Sequence, residues 1–250
     1  MPFLYFDWTF WLVVPAFVFA LWAQHKVRSS FDRYSRVRSA SGYTGAQIAR
    51  ELLRRAEVAA ATEQAGAARG AEALGAVNVE MTPGQLTDHY DPSQNVLRLS
   101  EPVYGSDSIA AIGVAAHETG HAIQQATGYG GVAMRSALVP MAQFGSKLAL
   151  PLFFVGLIFG GGQGGGLSFL MDIGILLYVA AVAFTLVTLP VEYDASRRAV
   201  TLLRDGGYVS AEELPYVKRV LGAAALTYVA AVAVAVLTLV RLLILRGERD

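Results

Sequence analysis

Four long apolar stretches dominate the sequence, at residues 8–22, 137–159, 167–189 and 222–240. Each approaches the roughly 20 residues that a helix needs to cross the hydrocarbon core of a bilayer. Hydrophobic residues make up 54% of the chain and charged residues 16%, whereas soluble domains usually carry about 25% charged residues. The sequence therefore predicts a mainly α, multi-pass membrane protein with about four transmembrane helices.

The segments around the apolar stretches predict how the chain is threaded. The first stretch has no basic segment before it and no small-residue cleavage site after it, which indicates a retained anchor. The run GGGQGGG at 160–166 suits a short connection, so the second and third predicted helices should be antiparallel neighbours. Lys and Arg cluster at 26–38 and 197–219. This distribution places both of these segments in the cytoplasm and both termini outside.

These patterns divide the chain into five segments. We predict transmembrane helix 1 at 1–23, a cytoplasmic domain at 24–136, a transmembrane hairpin of helices 2 and 3 at 137–189, a further cytoplasmic segment at 190–221 and transmembrane helix 4 at 222–245. The cytoplasmic domain should contain an amphipathic helix at 44–59 that begins after Thr44, short strands at 77–80 and 95–100, and a second helix at 108–126 that Gly128 can end.

Charge and cysteine usage exclude several classes of site. The 20 basic and 20 acidic residues give a net charge of zero, so no overall basic field attracts nucleic acid. The absence of cysteine excludes disulfides, thiolate metal sites and thiol nucleophiles. A bound metal must therefore be held by carboxylates and by the four histidines, His25, His89, His117 and His121.

The predicted helix at 108–126 carries the motif His-Glu-x-x-His, formed by His117, Glu118 and His121. Positions i and i+4 lie on the same face of a helix, so both imidazoles can bind one ion. Glu118 lies about 100° further round, where it can contact a water without binding the metal. The pattern predicts a metal site with two histidine ligands and a carboxylate base. The alternative is a surface histidine pair beside an ordinary glutamate.

A catalytic zinc site usually has three protein ligands, so one more ligand must come from elsewhere in the chain. Glu192, in LPVEYDASRRA at 189–199, is the favoured candidate, because two spans return the chain to the same side of the membrane. His89 is the alternative ligand. Glu192 could instead be an interfacial carboxylate that pairs with Arg197 or Arg198. Two imidazoles and a carboxylate suit one Zn²⁺ ion.

Three motifs resemble the YugP family of bacterial membrane zinc metallopeptidases: DHYDP at 88–92, VLRLSEPVYGSDSIAAIGVAAHETGHAIQ at 96–124 and LPVEYDASRRA. The resemblance covers most of the chain. It implies a gluzincin-like enzyme with a zincin-like α+β cytoplasmic domain, located in the bacterial inner membrane. Zinc held by His117, His121 and Glu192 would activate water at the cytoplasmic side, and Glu118 would act as general base in the hydrolysis of a protein or peptide substrate.

More distantly, the arrangement is similar to membrane peptidases of the HtpX and CAAX-protease type, in which the third ligand begins a Glu-x-x-x-Asp motif. Here the fourth position after Glu192 is Ser196, and the nearby acid is Asp194. Asp194 could accept a hydrogen bond from a metal-binding histidine, as carboxylates often do. It could equally pair with Arg197 or Arg198.

Several further roles remain open at this level. His89, Tyr193, Arg197 and Arg198 are candidate donors to the oxyanion that forms during peptide hydrolysis. The strand NVLRLS at 95–100 either pairs with an extended substrate or is buried in the sheet. Lys147 and Asp172 fall within or near predicted spans, where they are functional candidates; alternatively, they pair with each other across the hairpin or reach the interface.

A different class of function is compatible with the same residues. The protein could be a membrane scaffold or adaptor in which the metal is structural, and a fourth protein ligand such as His89 would then close the site. A metal-dependent hydrolase that acts on a non-peptide bond is a third possibility.

Overall fold

The structure is a computed structural model that describes residues 8–62, 68–160 and 166–248. It is mainly helical with one short sheet, as predicted. The described elements are α1 (Phe10–Tyr34), α2 (Gly45–Thr62), α3 (Ala68–Gly75), β1 (Asn78–Thr82), β2 (His89–Asp91), β3 (Val96–Ser100), α4 (Glu101–Tyr104), α5 (Ile109–Ala126), α6 (Gly130–Phe159), α7 (Phe169–Asp205) and α8 (Leu214–Gly247).

Helices α1, α6, α7 and α8 are each long and apolar enough to cross a membrane, which confirms the four predicted spans. Each helix extends beyond its apolar stretch. The largest difference is in α7, which continues through Pro190 to Asp205 and includes Glu192. Hydropathy marks only the apolar part of a helix, whereas backbone hydrogen bonding continues into polar sequence wherever the residues are good helix formers.

Two compact units can be distinguished in the chain. One is built around the apolar parts of α1, α6, α7 and α8. The other comprises His25–Val132 and Val191–Ala225, and it includes α2 to α5, the sheet and the end of α7.

Within the first unit, α6 and α7 lie side by side and run in opposite directions, as predicted. Gly156 of α6 approaches the start of α7, where an added Cβ would lie 2.7 Å from the backbone nitrogen of Met171. Gly174, further along α7, approaches an earlier part of α6, where its Cβ would lie 2.6 Å from the carbonyl oxygen of Ala149. The glycine-rich connection that motivated this prediction falls largely at 161–165, outside the described residues.

Lys147 and Asp172, two charged residues of the first unit, do not pair with each other. Asp172 accepts a hydrogen bond from Nε of Arg246 at 2.8 Å, and Lys147 is exposed. The suggested pair between Lys147 and Asp172 is therefore wrong. The basic partner of Asp172 is instead Arg246, at the end of α8. The two residues are too far apart in the sequence for spacing to predict this pair.

In the second unit, a three-stranded sheet has the order β1-β3-β2. Strand β3 pairs in parallel with β1 and antiparallel with β2. Both predicted strands are confirmed, but β3 lies at the centre, so the suggestion that NVLRLS binds substrate along a free edge is wrong. The three-residue strand β2 was not predicted, because so short a segment shows almost no alternation.

Local capping signals explain where the helices of this unit begin. The hydroxyl of Ser108 accepts a hydrogen bond from the backbone nitrogen of Ala111 at 3.2 Å and caps α5. Thr44 and Gln47 form reciprocal side-chain to backbone hydrogen bonds at the start of α2, which is the capping-box arrangement. The apolar faces of α2 and α5 then pack together, and Ile48, Leu52 and Ile112 are fully buried.

Candidate metal centre

Helix α5 places His117 and His121 on one face, one turn apart. Their ring centroids are 4.8 Å apart and the ring planes are nearly perpendicular. The neighbouring positions on α5 are buried apolar residues such as Ile112, Ala115 and Ala122. Both imidazoles are largely buried, with 13% and 15% of their side chains exposed. A buried pair of this kind needs polar partners.

The end of α7 supplies a carboxylate to this pair. Oε2 of Glu192 lies 3.3 Å from Nε2 of His117 and 3.3 Å from Nε2 of His121. One ligand atom from each of the three residues can be chosen so that all lie within 4.8 Å of one another. In a tetrahedral zinc site with bonds of about 2.0–2.1 Å, neighbouring ligand atoms are about 3.3 Å apart. The two distances from the carboxylate to the imidazoles match this separation, so the residues present fit one zinc ion.

The electrostatics of the cluster favour a positive charge. Burial by itself lowers the pKa of His121, but the hydrogen bond to Glu192 and the negative charges of Glu118 and Glu192 outweigh it, and the pKa is raised above its ordinary value. Two carboxylates thus favour a positive charge at the imidazole pair.

Glu118 lies next to this cluster and is itself buried, with 8% exposure. Its Oε2 accepts a hydrogen bond from the backbone nitrogen of Tyr90 in β2 at 3.0 Å. In an antiparallel ladder, the backbone N–H groups of alternate residues point away from the neighbouring strand. The N–H of Tyr90 points away from β3 in this way and donates to Glu118. No local pattern in the sequence indicates this contact, because it depends on the unpredicted strand β2.

The acidic residues of DHYDP hold β2 in this position. Asp88 accepts hydrogen bonds from the backbone nitrogen and hydroxyl of Ser100, at the end of β3. Burial raises the pKa of Asp88 although these bonds oppose the increase. Asp91 accepts from Ser93 and pairs with Arg98, and these contacts lower its pKa to about 2. The carboxylates of Asp88 and Asp91 thus stabilise the position of β2, the strand that contacts Glu118.

The second ring nitrogen of each histidine contacts a neutral side chain. Nδ1 of His117 lies 3.1 Å from the hydroxyl of Ser196, and Nδ1 of His121 lies 3.0 Å from Oε1 of Gln124. Sequence reasoning missed both residues as partners. Their spacing offered a signal: Ser196 follows Glu192 by one helical turn, and Gln124 follows His121 by three positions.

Asp194 reaches His121 only through an intermediate. Its Oδ2 accepts a hydrogen bond from the amide of Gln124 at 2.9 Å and another from Nε of Arg198 at 2.6 Å, and Oδ1 accepts from Arg197. The direct histidine contact considered from the sequence is thus replaced by a contact through Gln124. The alternative, an ion pair with the two arginines, is present.

The four candidate oxyanion donors are placed as follows. The ring of His89 is exposed and its Nδ1 lies 2.8 Å from the carbonyl oxygen of Thr87. Tyr193 is 49% exposed although its neighbour Glu192 is buried. The guanidinium groups of Arg197 and Arg198 are both engaged by Asp194. None of the four belongs to the three-residue group that could hold a metal among the described residues.

Close packing of the two helices brings Glu192 to the histidines. A Cβ added at Gly120, between the histidines, would lie 2.7 Å from the carbonyl oxygen of Ala195. Real Cβ atoms do not approach backbone so closely, so a larger residue would push α5 and the end of α7 apart. Gly120 therefore allows the approach that completes the cluster.

We expect Gly120→Ala to destabilise the protein by about 1–3 kcal/mol, because the clash is with backbone that cannot rotate away. The matched control is Gly113→Ala on the same helix, where the new Cβ would meet Cγ1 of Val217 at an ordinary 3.5 Å. There the higher helix propensity of alanine should be neutral or stabilising by up to about 1 kcal/mol. Apparent melting temperatures of the purified chain test this, and equal values for both variants would contradict it.

Comparison with known proteins agrees with the chemistry of the cluster. The profile of a family described as "Putative neutral zinc metallopeptidase" matches residues 9–247. The chain is 42% identical over 240 residues to "Putative membrane protease YugP" of Bacillus subtilis (strain 168), which covers 96% of this chain and 97% of that protein. No solved structure matches. With its four apolar helices and these near full-length matches, the chain is a membrane protein that belongs to this zinc metallopeptidase family.

Proposed function

We propose that the protein is an integral membrane zinc-dependent endopeptidase. His117, His121 and Glu192 hold one zinc ion, and Glu118 is the general base. This proposal depends on one observation: three possible ligand atoms from α5 and α7 converge beside the buried carboxylate of Glu118. In this proposal Glu192 binds the metal, and Glu118, which is not part of the three-residue group, acts on the attacking water.

Each residue has a defined part in the chemistry. His117, His121 and Glu192 would hold the zinc ion, which would supply Lewis-acid chemistry toward a water molecule and the peptide carbonyl. Glu118 accepts a proton from the attacking water and passes it to the nitrogen of the leaving amine. The N–H of Tyr90 holds Oε2 of Glu118. One carboxylate oxygen is thereby oriented while the other is left for proton transfer.

The number of protein ligands favours an enzyme over a scaffold. A structural zinc site is normally closed by four protein ligands. In the described part of the chain, the group that could hold a metal contains three possible ligands. His89 was the candidate for a fourth ligand, but its ring is exposed and hydrogen-bonded to the carbonyl oxygen of Thr87. Three protein ligands are the usual number at a catalytic zinc site, so this number supports catalysis.

The substrate and location follow from the same proposal. We expect a protein or peptide substrate to approach along β2, because the outer edge of this strand faces Glu118. The clusters of Lys and Arg at 26–38 and 197–219 favour a cytoplasmic active site on the inner membrane of a bacterial cell.

Removal and return of the metal test the proposal. We expect the full chain, purified in detergent, to cleave casein or a mixture of unstructured peptides, to lose this activity with a zinc chelator and to regain it with added Zn²⁺. Hydrolysis that survives complete removal of zinc would contradict the proposal. Zinc-loaded protein that cleaves small esters but no peptide would instead favour a hydrolase of another class.

A further inference from the structure

Gln124 connects the two segments that carry the proposed ligands. Its side chain is completely buried, and its amide nitrogen donates to the carbonyl oxygen of Val191 at 2.8 Å and to Oδ2 of Asp194 at 2.9 Å. Its Oε1 lies 3.0 Å from Nδ1 of His121. One amide thus contacts a proposed ligand on α5 and the residue before the proposed ligand Glu192 on α7.

The chemistry of the partners fixes which way this amide points. A carbonyl oxygen can only accept a hydrogen bond, and a carboxylate paired with two arginines also acts only as an acceptor. The NH₂ group of Gln124 must therefore face Val191 and Asp194, because the reversed amide would place three oxygen atoms together. Oε1 is then left to face His121.

The orientation of Gln124 in turn fixes the tautomer of His121. An amide oxygen only accepts hydrogen bonds, so Nδ1 of His121 must carry the proton and donate it. In the neutral form of the ring, which is the form that binds a metal, Nε2 then carries the lone pair. This is the atom that lies 3.3 Å from Oε2 of Glu192. The nitrogen that faces the proposed metal position is thus the one that can bind a metal.

We propose that Gln124 is a positioning residue for the metal centre, which transmits the acceptor character of Asp194 to His121 and holds the backbone next to Glu192. The inference rests on the proposed function. A carboxylate is the more usual partner of a metal-binding histidine. At position 124, however, a carboxylate would face the oxygen atoms of Val191 and Asp194, so the amide is the group that satisfies all three neighbours.

Zinc affinity tests this inference without relying on turnover. It is measured on the full chain in detergent by competition with a chromophoric chelator. Gln124→Met keeps the length of the side chain but removes both polar groups, and we expect about 10–100-fold weaker zinc binding. The matched control is Thr119→Val on the same helix. It removes a buried hydrogen bond to the carbonyl oxygen of Ala115 that contacts neither histidine, and we expect zinc binding within about twofold of wild type.

A reciprocal exchange distinguishes positioning from general loss of packing. Gln124→Glu should also weaken zinc binding, because the new carboxylate meets that of Asp194. Adding Asp194→Asn supplies an amide donor to this new carboxylate, so the double variant should bind zinc more tightly than Gln124→Glu alone. The melting temperatures of the metal-free variants are measured in parallel. A purely structural role would lower stability without this recovery of affinity.

The outcomes separate the inference from the function on which it rests. If wild-type protein binds zinc but Gln124→Met and Gln124→Glu bind it equally well, or if Thr119→Val weakens binding as much, the role of Gln124 is overturned. If the double variant shows no recovery, the transmission from Asp194 is overturned. If wild-type protein binds no zinc, the proposed function fails and the inference fails with it.

Discussion

Glu118→Gln is expected to bind zinc as the wild type does and to hydrolyse peptides about 10²–10⁴-fold more slowly, the usual contribution of a general base. An amide cannot accept and return a proton at neutral pH. It can still accept the hydrogen bond from Tyr90 through its oxygen, so the position of β2 should be retained. Peptide hydrolysis and zinc content, measured on the same preparation, provide the test.

The same change at an unrelated carboxylate serves as control. Glu101 is exposed at the start of α4, and Glu101→Gln should leave both hydrolysis and zinc content unchanged. Normal turnover by Glu118→Gln would remove Glu118 as the base. Loss of zinc from this variant would instead make Glu118 a ligand, and the assignment of the carboxylates would have to be exchanged.

Glu192→Ala is expected to weaken zinc binding by more than about 100-fold, beyond what loss of an outer hydrogen-bond partner usually costs. The change removes one of the three proposed ligands and also the negative charge that lies beside both imidazoles. Peptide hydrolysis should disappear with the metal. Metal content after dialysis, measured by atomic emission, and chelator competition give the result.

Two variants control for this change. His89→Ala removes the alternative candidate for the third ligand. This variant should still bind zinc, because the imidazole of His89 is exposed and hydrogen-bonded to Thr87. Tyr193→Phe alters the residue after Glu192 on its exposed side and should also keep zinc. Loss of metal with His89→Ala and not with Glu192→Ala would overturn the proposed ligand set.

Local sequence patterns were enough to predict much of the fold. The apolar stretches within α1, α6, α7 and α8 follow from hydropathy, since a bilayer-spanning segment has to satisfy its own backbone hydrogen bonds as a helix. The start of α5 follows from Ser108, and the shared face of His117 and His121 follows from the helical repeat. Each of these features depends on residues within one continuous stretch of the chain.

Local sequence patterns did not determine which residues contact His117 and His121. Glu192 and His89 were both possible third ligands by sequence, and three-dimensional proximity distinguishes them: Glu192 lies beside both imidazoles, and His89 is exposed. Asp194 was expected to contact either a histidine or the arginines. The structure places Gln124 between it and His121, an arrangement with no counterpart in residue spacing.

The sequence by itself determined the elements: the apolar helices, the imidazole pair one turn apart and the acid beside it, because helical periodicity and solvent preference act over short distances. The tertiary structure alone decided which strand faces Glu118, which carboxylate joins the pair and how Gln124 is oriented. Those outcomes depend on contacts between residues that are 28 or more positions apart in the chain. Between α5 and the end of α7 the two backbones can approach because Gly120 has no Cβ, and the spacing of residues along the chain does not show this approach.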